Sequence, residues 1–147
     1  MKNQNHALTK EQIDRVVLLY SFGKIEESIS AIKALNNDYP NVPLLFNLLG
    51  ACYKALGKLE ASAKAFEVAT TIKPDYAEAY NNLGIVQMQL RSLDVSVESF
   101  KRAIAIKPDY VEALGNLGMA FKELNLIEEA VKAYEKVIYF KPDYAEA

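Results

Sequence analysis

Cysteine and histidine are almost missing from this sequence: Cys52 and His6 are the only ones of their kind in 147 residues. A single cysteine excludes an intramolecular disulfide and gives no sign of a secreted, disulfide-stapled scaffold. One Cys and one His cannot build a metal site alone, so no metal or other cofactor is expected. Long hydrophobic runs are also lacking. No stretch approaches the ~18 apolar residues that span a bilayer, and the polar start MKNQNHALTKEQ has no apolar centre of signal-peptide type. A reducing, cytoplasmic setting without a membrane partner is the expectation. Charge of one sign is absent too. Lys and Arg number 17 against 19 Asp and Glu, a formal net charge of −2, so no cationic field exists to bind a phosphate backbone. Nucleic acid is not an expected partner. There is no glycine-rich phosphate loop and no nucleophile–base arrangement, so these residues are not expected to be an enzyme.

What is present is repetition. Pro74-Asp-Tyr-Ala-Glu-Ala79, Pro108-Asp-Tyr-Val-Glu-Ala113 and Pro142-Asp-Tyr-Ala-Glu-Ala147 are nearly one phrase, with prolines 34 residues apart and Pro40 one period upstream. A fixed period of this size marks small units that stack on copies of themselves. Hydrophobic residues make up 51% of the chain and charged residues 24%, enough apolar material for a soluble folded core.

Blocks 43–76, 77–110 and 111–144 align without a gap. Position four is Phe46, Tyr80 or Leu114, and position seven is Leu49, Leu83 or Leu117. Position eight is always glycine: Gly50, Gly84, Gly118. Position twenty is small (Ser62, Ser96, Ala130) and position twenty-four aromatic (Phe66, Phe100, Tyr134). Spacings of three, four and seven place these residues on one helical face, so each block predicts a helix A, a short turn and a helix B. Glycine inside a helix costs about 0.5–1 kcal/mol relative to alanine. Its recurrence implies that helix B crosses there and that a side chain would hold the helices apart, with the small residue at position twenty completing the contact.

The unit boundaries carry expectations of their own. Asp75, Asp109 and Asp143 are placed to cap helix A, with Glu78, Glu112 and Glu146 completing capping boxes. Gly57 and Asn125 in the A–B turns tolerate left-handed backbone angles, whereas Arg91 at the same place predicts a different turn. Glu26/Glu27 and Glu128/Glu129 complement the positive ends of B helices. A weaker unit occupies 9–42. Its Phe22-Gly-Lys-Ile-Glu26 matches Leu56-Gly-Lys-Leu-Glu60, and helix B is expected near 25–37. Helix A has Gln12, Arg15 and Val16 in place of the aromatic, Leu and Gly, as suits a partly polar terminal cap. Residues 1–8, with His6, read as a flexible leader. Cys52, at position ten among apolar neighbours, reads as a buried small hydrophobe.

An aromatic or Leu, then Leu-Gly, then a small residue, an aromatic and a closing Pro at period 34 resembles the tetratricopeptide repeat. Three full units and a degenerate one cover residues 9–142. The resemblance implies an all-α fold: a right-handed α-solenoid of antiparallel helix pairs, in a single domain. It also implies a protein–protein interaction module whose concave groove, lined by A helices, holds a partner peptide or segment. The inward positions supply Asn47, Asn81, Asn82, Ile85, Met88 and Gln89, then Glu112, Asn116, Met119 and Lys122.

Two branches of the family bear on these positions. The carboxylate clamp of co-chaperones does not fit, because Ala51, Glu112 and Asn116 stand where Asn, Lys and Arg would be needed. The asparagine ladder of the O-linked N-acetylglucosamine transferase repeats fits at Asn82 and Asn116, while Leu48 and Asp14 break it upstream. A side-chain amide can pair with a peptide group regardless of sequence. The same asparagines also suit a merely polar exposed face, and Met88 and Met119 suit packing as well as recognition. The mixed groove implies a ligand that is part polar, part apolar and not strongly charged.

Two alternatives remain open. The last Pro-Asp-Tyr-Ala-Glu-Ala copy, 143–147, begins a further helix and stops after a turn, which suits a substrate-recruiting arm of a larger enzyme such as a glycosyl- or sulfotransferase. The final helix B, near 127–140, has nothing after it to cover Tyr134, Val137 and Ile138, which suits a homo-oligomer formed through the uncovered C-terminal helix.

Overall fold

Residues 7–142 are described in the computed structural model of the chain; His6 and the start of a further helix at 143–147, with Asp143 and Glu146, lie outside them. The described residues form eight helices and no strand: α1 Lys10–Ser21, α2 Ile25–Asp38, α3 Pro43–Ala55, α4 Leu59–Ile72, α5 Ala77–Gln89, α6 Leu93–Ile106, α7 Val111–Glu123 and α8 Ile127–Phe140. Odd-numbered helices are the A helices and even-numbered ones the B helices of the 34-residue pattern. The chain divides into two compact units, 1–72 and 73–147. In the first, α1 packs on α2, α2 on α3 and α3 on α4. In the second, α5–α6, α6–α7 and α7–α8 pack in the same succession, and α5 also touches α7.

The glycines at position eight mark the closest approach of each A–B pair. A Cβ added to Gly50 would lie 2.6 Å from the Phe66 ring, one on Gly84 2.6 Å from Phe100, and one on Gly118 2.8 Å from Tyr134. The aromatic at position twenty-four therefore presses its ring onto bare backbone. Phe66 and Phe100 are among the most deeply buried side chains of the chain, so neither can swing aside. In the 43–76 unit the small residue adds a polar tie, as the Ser62 hydroxyl donates to the Gly50 carbonyl at 2.7 Å. The degenerate unit solves the same problem differently. Val16 stands at position eight and Ile32 at position twenty-four, both fully buried in one cluster with Ile29, Leu45, Leu49 and Cys52. A larger residue on A is matched by a smaller one on B, and Ser28 still donates to the Val16 carbonyl at 3.0 Å.

All four A–B turns are built alike. Gly23, Gly57, Arg91 and Asn125 have φ of 77°, 75°, 64° and 61°. The following amides (Lys24, Lys58, Ser92, Leu126) each reach the carbonyl five residues back at 2.8–2.9 Å, the Schellman closure of a helix end. The expectation of a different turn at Arg91 is corrected: the backbone closure of the turn, with Arg91 N–H bonded to Met88 O and Ser92 N–H to Gln87 O, holds Arg91 in the left-handed region despite its Cβ. Its guanidinium also pairs with Glu123 at the end of α7.

The expected aspartate caps are corrected as well. Tyr76 and Tyr110 occupy the N-cap positions of α5 and α7, and no side chain caps either helix. Asp75 and Asp109 fall one residue too early, inside turns closed by Tyr76 N–H to Lys73 O and Tyr110 N–H to Lys107 O. Near the helix start they still complement the dipole. A capping box does exist where none was expected: Thr9 accepts from the Gln12 amide, and the Gln12 side chain accepts from the Thr9 amide. The signal was the Thr-x-x-Gln spacing. Just before that cap Leu8, assigned from sequence to the leader, packs against the first unit's core.

Cys52 is buried beside Ser28, with its sulfur 3.6 Å from the hydroxyl. Burial pushes its thiol above the ordinary range, partly offset by that contact. The folded state thus holds the thiol proton more tightly than the unfolded chain, and the stability linked to it is lost as pH rises past the usual thiol range. Cys52 is expected to resist iodoacetamide in the native protein at pH 8 and to react fully in urea, read by intact mass. Gly84→Val is expected to cost about 1–3 kcal/mol by overpacking. Adding Phe100→Ile, which recreates the Val16–Ile32 pairing, is expected to recover part of that loss. Urea midpoints of the two single variants and the double variant measure the coupling.

Candidate functional site

Most of the inward positions read from sequence fall on α5 and α7, within the second unit. Asn47 is half-buried on α3, in the first unit. On α5, Asn82, Ile85 and Met88 are half-buried and Gln89 is exposed. On α7, Glu112, Met119 and Lys122 are exposed and Asn116 is half-buried. Ile85 and Met88 pack against the core formed by Val97, Phe100, Leu117 and Phe121, so packing accounts for much of their surface. Met119 is 47% exposed.

Asn81 departs most from its sequence reading. It is only 1% exposed, sealed where α5 meets α7. Its Nδ2 donates to Glu112 Oε1 at 3.2 Å, and its Oδ1 accepts from Asn116 Nδ2 at 3.1 Å. A buried amide must satisfy its donors and its acceptor, and here the neighbouring A helix supplies both partners. Sequence spacing could not reveal this, since positions five and six meet only when consecutive A helices stack. The consequence reaches the half-buried surface: Asn116 is oriented from beneath, with one amide hydrogen spent on Asn81.

Tyr110 joins the network. Burial, followed by the nearby negative charges of Glu112 and Glu78, holds its phenol above the usual tyrosine range, and a hydrogen bond with Asn81 partly offsets them. The phenol is therefore a neutral member of the cluster at physiological pH. Glu78, Glu112 and Glu123 give this side of the unit an acidic character, with Lys122 among them.

Beside the network lies an open cavity of about 690 Å³. Glu112, Asn116 and Met119 of α7 line one wall, and Tyr134, Val137 and Ile138 of α8 the other. It lies in the size range of ligand sites and combines apolar walls with few polar groups, as such sites do. Among the described residues no group of three or more His, Cys, Asp or Glu side chains could hold a metal ion. No helix among them is long and apolar enough to cross a membrane.

Comparison with known proteins agrees with this architecture. Sequence models described as TPR repeat and tetratricopeptide repeat match residues 50–90, 77–110 and 111–144. No curated protein sequence matches the chain. Among solved structures, MamA superposes with a TM-score of 0.85 at 23% identity, over 92% of this chain and 80% of that one. A form of MamA from Desulfovibrio magneticus RS-1 superposes with a TM-score of 0.82 at 19% identity, over 90% and 75%. The first TPR domain of Spaghetti (RPAP3), solved with the HSP90 peptide SRMEEVD, gives 0.76 at 19% identity, over 82% and 98%. The fold and the matched repeats define an all-α solenoid of stacked helix pairs. The chain belongs to the tetratricopeptide-repeat family, a family of protein–protein interaction modules.

Asn81→Ala is expected to destabilise the fold by about 1–3 kcal/mol, because it removes a fully buried side chain together with its hydrogen bonds to Glu112 and Asn116. Gln89→Ala, on the exposed end of α5, is expected to change stability by no more than about 0.5 kcal/mol. Urea unfolding of the two variants separates the structural asparagine from the surface position.

Proposed function

We propose that this protein holds an extended segment of a partner protein against the α5–α7 face, with Asn82 and Asn116 as the polar rungs. The observation that carries the reading is the orientation of Asn116 by buried Asn81 at the edge of the cavity shared with Glu112, Met119 and Ile138. A pre-oriented amide loses less freedom on binding than a mobile one. It presents an acceptor and a donor to a passing peptide group without selecting its sequence. Met119 supplies an adaptable apolar contact. This is the asparagine-ladder mode, shortened to two rungs.

The surrounding charge shapes the ligand. The Spaghetti domain is solved with a peptide ending in Glu-Glu-Val-Asp, but here Glu112, with Glu78 nearby, lines the corresponding kind of surface. A neutral or basic segment suits it better than an acidic tail. The double variant Asn82→Ala plus Asn116→Ala is expected to weaken a ligand found by peptide-array screening about tenfold, since each bond is worth ~0.5–1.5 kcal/mol. Calorimetry decides: unchanged affinity for every ligand found overturns the ladder. SRMEEVD itself is expected not to displace that ligand from the α5–α7 face.

A second reading rests on α8, where Val131, Ile138, Tyr139 and Phe140 are exposed, Tyr139 to 80%. Exposed apolar side chains of this kind suit contact between copies of the chain. On this reading Ile138→Glu lowers the apparent mass seen by light scattering at high concentration, and a strictly monomeric parent protein overturns it.

A further inference from the structure

The other side of α7 carries a second surface. Between the B helices α6 and α8 lies a cavity of about 470 Å³, floored by Leu117 and Phe121 of α7 and walled by Ile104 and Ala133. Lys101, Lys132 and Lys136 stand on its rim, with Glu129 as the one acid. All three lysines are exposed. None makes an ion pair with another described residue. The Lys101 ammonium is 5.8 Å from the centroid of the Phe121 ring, which holds one cation at the edge of the apolar floor.

This concentration of positive charge runs against its surroundings. Residues 73–147 contain nine Lys and Arg against twelve Asp and Glu, a net charge of −3, yet this rim carries three cations and one anion. Nor does the repeat require them. One period earlier, the places of Lys101 and Lys132 are held by Glu67 and Glu98, so helix packing tolerates the opposite sign there. Lys101 and Lys132 are therefore a property of this groove and not of the scaffold, while the place of Lys136 is held by basic Arg102 one period earlier.

We propose that the α6–α8 groove is a second docking site, for an acidic amphipathic segment of a partner protein. The segment places a bulky apolar side chain on Leu117 and Phe121 and carboxylates against Lys101, Lys132 and Lys136. The apolar floor provides the anchor, and the lysines select the sign of the partner and speed its encounter. The α5–α7 face suits a neutral or basic segment instead, so the two faces of α7 recruit different segments.

The test uses three fluorescein-labelled twelve-residue probes. One places Glu and Asp around a central Leu-Phe, the second replaces those acids by Lys, and the third keeps the acids but has Ser for Leu-Phe. Fluorescence anisotropy on the full chain is expected to show the first probe binding at least tenfold tighter than either other probe. Its affinity should fall several-fold between 50 and 300 mM NaCl. Lys132→Glu plus Lys136→Glu, at exposed sites that leave the urea midpoint in place, should weaken it at least tenfold. Asn82→Ala plus Asn116→Ala should leave it unchanged, which separates this site from the α5–α7 face. Equal binding of the first and third probes, binding that survives the lysine reversal, or absence of saturable binding overturns the proposal.

Discussion

The contact between the side chain at position twenty-four and the backbone at position eight sets the spacing of every A–B pair, and the rest of the structure depends on it. Three times an aromatic ring lies on a glycine, and once a valine meets an isoleucine. The glycine sacrifices about 0.5–1 kcal/mol of helix propensity, while burying the ring returns about 1.5–3 kcal/mol. The balance favours close approach. Once the helices are this near, the Ser62 hydroxyl reaches the Gly50 carbonyl. The A–B turn must then close in three residues, which demands a left-handed backbone angle at its centre even where the residue is arginine.

Spacing within a pair leaves the register between pairs to other groups. In the second unit Asn81 supplies that register. It is almost fully buried and bonds to two side chains of the next A helix, and a shift of one residue would strand all three. Arg91 and Glu123 add a tie at the far end of the same two helices, though an exposed pair contributes little. The network that fixes α7 against α5 also orients Asn116 at the cavity edge.

Charge is sorted across α7. Glu78 and Glu112 lie toward the α5–α7 side, where Glu123 is paired with Arg91, whereas Lys101, Lys132 and Lys136 rim the groove between α6 and α8. A net charge near zero conceals this separation. A helical repeat permits it, because faces that pack fix their residues tightly while faces toward solvent change sign from one period to the next.

Helix number, helix boundaries within a few residues and the pairing of helices were legible in the 34-residue period, since apolar spacing and glycine placement are local signals. The tight approach at Gly50, Gly84 and Gly118 was legible too, because only contact explains a repeated helix breaker. The aspartate caps were misplaced by one residue, as the turn hydrogen bonds of Tyr76 and Tyr110 move the helix start beyond the aspartates. The Arg91 turn was misjudged because the backbone closure of the turn overrode the residue's own preference. The candidate polar positions could be named from sequence, but not which of them are buried and which stay accessible. Asn81 and Asn82 are adjacent and chemically identical, and only the packing of α7 on α5 buries one and leaves the other at the surface. The sequence by itself therefore determined the repeat and its helices. The tertiary structure alone decided the division of labour among their polar residues, because burial and hydrogen-bond partners arise only when helices from different repeats meet.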